Sequence, residues 1–123
     1  MDRLKVRADF LRAQAGVRKR MAGLTLEACV TPEKFAQPGR LRLGFTASRK
    51  VGGAVERNRS KRRLRAAAAA LLPLYGRGGN DYVLVARRET LTRPFSGLLE
   101  DLTAALAAVH ARLGGPPAGK DKA

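Results

Sequence analysis

Acidic residues are scarce in this chain: 10 Asp and Glu stand against 25 Lys and Arg in 123 residues, a formal net charge of +15. Such an imbalance repels itself in a compact protein, so a dense polyanion is the natural partner, with nucleic acid ahead of a membrane surface. Cysteine occurs once, at Cys29. That excludes an internal disulfide and any four-cysteine or Cys/His zinc site, and it points to a reducing compartment, the cytoplasm, with no structural metal. Long apolar runs are missing too. No stretch approaches the roughly 18 residues that a spanning helix needs, and the charged start Met1-Asp2-Arg3-Leu4-Lys5 lacks the apolar core of a secretion signal. Histidine occurs once, as His110, expected to face solvent or to complement a helix C-terminus. A self-contained nuclease needs a base, an acid or a metal-ligand cluster. None can be assembled here, so no catalytic and no metal-ligating residue is assigned, and Cys29 is read as a packing residue.

At this length the chain forms one domain around one modest core. Asp9 to Ala15 holds mostly helix formers closed by Gly16, which predicts a first helix over about 7–15. Leu24, Leu26, Ala28 and Val30 alternate with Thr25, Glu27, Cys29 and Thr31, the period of a half-buried strand. Leu41, Leu43, Phe45 and Ala47 repeat the pattern and predict a second strand antiparallel to the first. Gly52-Gly53 precedes a helical segment from about Ala54 to Leu72, expected to end at Pro73. Leu64, Ala67, Ala68 and Leu71 fall on one stripe of it, and Asn58, Arg59, Lys61, Arg62 and Arg65 on the opposite arc. Tyr82 to Ala86 is apolar throughout, as in a strand covered on both faces. Leu98, Leu102, Leu106, Val109 and Leu113 keep helical spacing after Pro94. The expected architecture is an α+β fold, a two-layer α/β sandwich in the order α-β-β-α-β-α with room for one extra short strand. It spans residues 1–113, and 114–123 form a disordered Gly/Pro/Lys tail.

The segment that carries chemistry is Arg57-Asn58-Arg59-Ser60-Lys61-Arg62-Arg63-Leu64-Arg65, with six basic side chains in nine residues. No acid interrupts the run, so this helix forgoes the (i, i+4) ion pairs of an ordinary solvated face. A partner must supply the negative charge. Phosphate suits it, because an arginine fork binds two phosphate oxygens at once and a helix spaces the forks along a backbone. The opposite side offers mainly alanine and leucine, needed for the protein's own core, which argues against a membrane-surface helix. No helix-turn-helix or zinc-finger pattern favours DNA.

Phe45-Thr46-Ala47-Ser48-Arg49-Lys50-Val51-Gly52-Gly53-Ala54-Val55-Glu56-Arg57-Asn58-Arg59-Ser60-Lys61-Arg62-Arg63-Leu64-Arg65 resembles the signature of the bacterial ribonuclease P protein family. It has a strand, a basic pair, a glycine turn and an Arg-Asn-Arg core with Lys-Arg one residue later. Arg7-Ala8-Asp9-Phe10, Asp81 to Arg87 and Pro94-Phe95-Ser96 extend the similarity, and only residues from about 114 lie outside it. The resemblance implies a left-handed crossover between two parallel strands, where the general rule favours the right hand. It implies that Arg57, Asn58, Arg59, Lys61, Arg62 and Arg65, extended by Arg49 and Lys50, meet the catalytic RNA and the substrate. It also implies a cleft between the first helix and the sheet, at Phe10 and Gln14, that holds the 5′ leader of precursor tRNA.

In this family the RNA subunit with Mg²⁺ performs the hydrolysis. The protein binds no cofactor itself, acts as a monomer within the ribonucleoprotein, and is an enzyme only as a component of that endoribonuclease. Two positions depart from the pattern. Gln14 stands where the family often carries a second aromatic, so leader binding rests more on charge than on stacking. Gly53 replaces a common asparagine. A ribosomal or RNA-chaperone-like protein is the alternative that shares the charge, and an effect on tRNA 5′ processing separates the two.

Overall fold

The computed structural model describes residues 1–113, so the segment 114–123, expected to be a disordered tail, lies outside the described residues. In chain order the elements are β1 (Asp2–Arg3), α1 (Arg7–Ala15), β2 (Val17–Arg20), β3 (Leu24–Val30), β4 (Arg42–Thr46), α2 (Ala54–Tyr75), β5 (Asn80–Ala86) and α3 (Phe95–Leu113). Short 3-10 turns occupy Glu33–Phe35 and Arg88–Leu91. The α+β class and the six main elements match the sequence expectation. Two short strands, β1 and β2, join them where room for one was foreseen.

The five strands form one sheet in the order β1-β4-β5-β3-β2. This corrects the pairing of the two alternating strands, which do not touch as neighbours. β5 lies between them, antiparallel to β3 through Leu26↔Leu84 and parallel to β4 through Leu43↔Tyr82. The reason is apolarity: β5 is the strand with hydrophobic side chains toward both faces, and the middle of the sheet buries both. The β4-α2-β5 connection is thus a crossover between adjacent parallel strands.

On one face Leu24, Leu26, Leu43, Tyr82 and Leu84 pack against Leu64, Ala68 and Leu72 of α2 and Leu98, Leu102 and Leu106 of α3. On the other, Val83, Leu4 and Ala13 form a smaller cluster with Phe10, Cys29 and Val85 under α1. α1 therefore adds a partial third layer to the expected two. β3, read as half-buried, is covered on both sides, with Thr25 and Glu27 only 7% and 6% exposed. A buried ion network fastens α1 down: Arg42 donates to Asp81 at 2.8 and 2.9 Å and to Asp9 at 3.1 Å, and Asp9 also accepts from Arg12.

α2 runs on through Pro73 to Tyr75, where an end before the proline was expected. Pro73 lies one turn from the helix end on the exposed side, so the carbonyl that loses its donor faces water rather than the core. The apolar stripe is also rotated slightly from the expectation. Leu72 is buried and Leu71 only partly so, because the cluster on α3 sits over Leu72.

His110 corrects a further expectation, for it is 5% exposed rather than at the surface. Its Nε2 stands 2.6 Å from the Tyr82 hydroxyl, which already accepts from the Arg77 N–H and the Asn80 side-chain amide. The tyrosine proton must then point at Nε2, so the imidazole is neutral and carries its own proton on Nδ1.

Candidate nucleic-acid interface

The basic segment begins in the loop after β4. Ser48 to Gly52 forms a turn in which Val51 N–H donates to the Ser48 carbonyl and Gly52 N–H to that of Arg49. Val51 is buried and anchors the turn, leaving Arg49 and Lys50 exposed. Gly52 adopts φ +147°, and a Cβ there would meet Glu56 at 2.8 Å, so only glycine suits the position. Glu56 folds back to accept from the Gly53 N–H at 3.0 Å and caps the helix.

Beyond Glu56 the side chains are cationic, at the end of the helix where the backbone dipole is already positive. Lys and Arg there are unfavourable for an isolated helix. The same dipole adds to their attraction for an anion. Asn58, Arg59, Arg62 and Arg65 are exposed and Lys61 and Arg57 half-buried. Arg57 donates to the Gly52 carbonyl at 3.2 Å, bracing the turn. Arg65 lies over the Phe45 ring, 5.7 Å from its centroid.

Ion pairs neutralise part of the charge elsewhere but none of it on this surface. The salt bridges join Asp2 to Arg40, Asp9 to Arg12 and Arg42, Asp81 to Arg42, Glu27 to Arg18, Glu89 to Arg87 and Asp101 to Arg93. Among the described residues Arg49, Lys50, Arg57, Arg59, Lys61, Arg62 and Arg65 have no carboxylate partner. Arg63, in the middle of the same run, does something else. It donates to the Thr90 carbonyl and, at 2.6 Å, to the Arg93 carbonyl, stapling α2 to the turn before α3. A tally of basic residues along the chain cannot make that distinction.

The structure also adds cations that the sequence reading left out. Arg88, in the turn after β5, donates to the Lys50 carbonyl at 3.2 Å. With Lys50, Ser48 and Arg20 it lines a cup of about 380 Å³. The Arg87-Arg88 pair at a strand end was the available signal, but only the parallel pairing of β4 with β5 brings it beside the basic loop.

Phe10 and Gln14 meet in a second concavity, a cleft of about 300 Å³ between α1 and the sheet. The Phe10 ring lies against the backbone of Gly44, where a Cβ would stand 2.6 Å from its Cε1. Arg7 and Arg18 flank the cleft, and Thr46, Val83 and Val85 floor it. Cys29 is half-buried beside α1, and burial first, then Asp81, pushes its thiol up to about 11. It is a packing thiol with little thiolate character at neutral pH. No three His, Cys, Asp or Glu side chains among the described residues are grouped as metal ligands. No helix among them is long and apolar enough to cross a membrane.

A family model for ribonuclease P matches residues 1–110. The chain belongs to the ribonuclease P protein family. It is 53% identical over 112 residues to the ribonuclease P protein component of Paramagnetospirillum magneticum, covering 90% of this chain and 84% of the relative. The counterpart from Ruegeria pomeroyi is 50% identical over 109 residues, with 88% and 86% covered. In fold, the ribonuclease P protein of Staphylococcus aureus matches with a TM-score of 0.70 at 24% identity, over 88% of this chain and 94% of that one. That of Thermotoga maritima matches with 0.69 at 24% identity, over 94% and 100%. The architecture is therefore that of the family's solved members.

Proposed function

We infer that this chain is the protein component of ribonuclease P and assists an RNA subunit in endonucleolytic removal of the 5′ leader from precursor tRNA. One observation carries the inference beyond family membership: seven cations on the β4-α2 loop and the α2 arc have no carboxylate partner among the described residues, while the other face of the same helix is core. Arg49, Lys50, Arg57, Arg59, Lys61, Arg62 and Arg65, with Asn58 among them, bind phosphates of the RNA subunit and of the substrate near the cleavage site. The cleft at Phe10 and Gln14 takes the single-stranded leader, with Arg7 and Arg18 neutralising its backbone.

Catalysis belongs to the RNA with Mg²⁺. The protein lowers the Mg²⁺ requirement by screening phosphate repulsion, since each protein cation replaces condensed counterions. It acts as a cytoplasmic monomer within the ribonucleoprotein. Family membership sets aside the reading as a ribosomal or RNA-chaperone-like protein. Reconstitution with ribonuclease P RNA provides the test. At low Mg²⁺, cleavage of precursor tRNA is expected only when RNA and protein are both present, and the protein alone is expected to leave the substrate intact. Cleavage by the purified protein without RNA, or no effect of the protein at any Mg²⁺ concentration, would overturn the reading.

A further inference from the structure

His110 holds one polar atom that the fold does not use. The Tyr82 hydroxyl takes its Nε2, so the proton sits on Nδ1, and no acceptor among the described residues receives it. A buried N–H without an acceptor is costly. Yet no fully enclosed side-chain nitrogen among the described residues lacks a partner. Nδ1–H therefore reaches open space. The space that His110 lines is a cavity of about 400 Å³ between the last turn of α2 and the C-terminal half of α3.

The cavity walls are mainly apolar. Leu74, Tyr75, Leu106 and Ala107 supply them, and Leu74 and Tyr75 are left 72% and 50% exposed. Arg77, in the bend after α2, lines the same cavity, and its guanidinium has no carboxylate partner among the described residues. It stands close enough to help hold the His110 imidazole neutral. No acid lines the cavity. Apolar walls with a few fixed polar groups, at this size, are the make-up of a small-molecule site rather than of a phosphate track.

We propose that this cavity is a ligand site for a small carboxylate on an apolar body, such as an aryl or branched-chain acid: the carboxylate takes the Arg77 fork and the His110 Nδ1–H, and the body covers Leu74 and Tyr75. A carboxylate suits both donors, because its two oxygens accept an arginine fork and keep lone pairs for a further N–H. The negative poles of α2 and α3 both lie at this end of the molecule and weigh against an anion. A ligand therefore needs the Arg77 pairing and the apolar contact together, which excludes simple inorganic anions. The site is separate from the basic surface: α2 has 22 residues, which set the cavity about 33 Å along the helix from the basic turn.

The experiment titrates the full-length protein with phenylacetate and follows its single imidazole by long-range ¹H–¹⁵N spectroscopy, which reads each ring nitrogen separately. In the free protein Nδ1 is expected to carry the proton. Phenylacetate is expected to move the Nδ1 signal saturably, with half-saturation near about 1 mM, ordinary for a ligand of about ten non-hydrogen atoms. Phenylacetamide, its neutral isostere, is expected to bind about tenfold more weakly, the scale of one charge-assisted hydrogen bond. Acetate, which lacks the apolar body, is expected to leave the signal in place at the same concentration. Arg77→Gln removes the charge, and Ala107→Leu fills the cavity from an exposed helix position. Each is expected to weaken phenylacetate about tenfold or more with little change in thermal stability. The double variant Arg62→Ala, Arg65→Ala is expected to bind phenylacetate as the native protein does.

A proton on Nε2 in the free protein, or a saturating shift of equal affinity from phenylacetamide or acetate, overturns the inference. So does an Nδ1 signal that stays in place at about ten times the expected half-saturation, or undiminished binding by a folded Arg77→Gln or Ala107→Leu. Loss of binding in the double variant overturns it as well, by placing the probe on the basic arc. If one single variant does not fold, the other decides together with the three probes on the native protein.

Discussion

Replacing Arg62 and Arg65 together with alanine tests the assignment of faces on α2. Both side chains are exposed, and neither has an acidic partner among the described residues. The double substitution removes the stacking of the Arg65 guanidinium over Phe45, 5.7 Å from the centroid, worth about 0.5 to 1 kcal/mol at an exposed site. Alanine is a slightly better helix former, and two like charges are removed, so stability is expected to change by less than about 1 kcal/mol. RNA binding is expected to change far more in its salt dependence. Each phosphate neutralised contributes a slope of about −0.7 to −0.9 in log K against log salt. Leaving two of them without a protein cation makes the slope shallower by about 1.4 to 1.8. Between 50 and 200 mM salt the native protein, neutralising roughly six phosphates, is expected to weaken about a thousandfold in affinity, and the double variant about ten times less. Thermal melts and titrations with ribonuclease P RNA over that salt range, at fixed Mg²⁺, measure both. An unchanged slope in a folded double variant would show that this arc is not the interface. A variant that melts early while its folded fraction binds normally would show that the faces were assigned the wrong way round.

Arg63→Ala is expected to behave in the opposite manner: it strands the Thr90 and Arg93 carbonyls, costs about 1 to 3 kcal/mol in denaturant melts, and leaves the salt slope of the folded protein unchanged. Leu64→Ala and Leu72→Ala, both at fully buried positions, are each expected to cost about 2 to 5 kcal/mol and to affect RNA titrations only through the unfolded fraction. His110 gives a pH signature, because burial, followed by Arg77, lowers its folded value from 6.5 to about 4. The unfolded chain takes up the proton first, so stability is full above about pH 6.5 and declines as pH falls toward 4, by about 3 kcal/mol in all. Urea melts across that window are expected to show the decline in the native protein and its loss in His110→Gln, whose carbonyl still accepts from Tyr82. A parallel decline in both would mean that other groups set the acid limit.

Local features of this protein were legible because each has a short-range cause. The 3.6-residue spacing of leucines and alanines marked α2 and α3, the alternation at Leu24 to Val30 and Leu41 to Ala47 marked two strands, and Gly16 closed α1 where the structure closes it. The unbroken basic run marked α2 as the most densely cationic helix, since charge density needs no fold to be seen. What the sequence left undetermined was every property that depends on which elements become neighbours. β5 separates β3 from β4 because burying an apolar strand on both faces outweighs the pairing of consecutive strands. Pro73 stays helical because its side of α2 faces water, and Leu72 rather than Leu71 is core because α3 packs from that direction. Six closely spaced basic residues looked equivalent until α2 docked beside the turn at Thr90, where Arg63 found two carbonyls of that turn to hold. His110 read as a surface residue until the sheet brought the Tyr82 hydroxyl within 2.6 Å of it. The same docking set Glu27, one polar residue in an alternating strand, into the wall of the cleft beside Phe10. Sequence spacing assigns a residue to a face of its own element, but the burial and partners that fix its chemistry come from the element packed against that face.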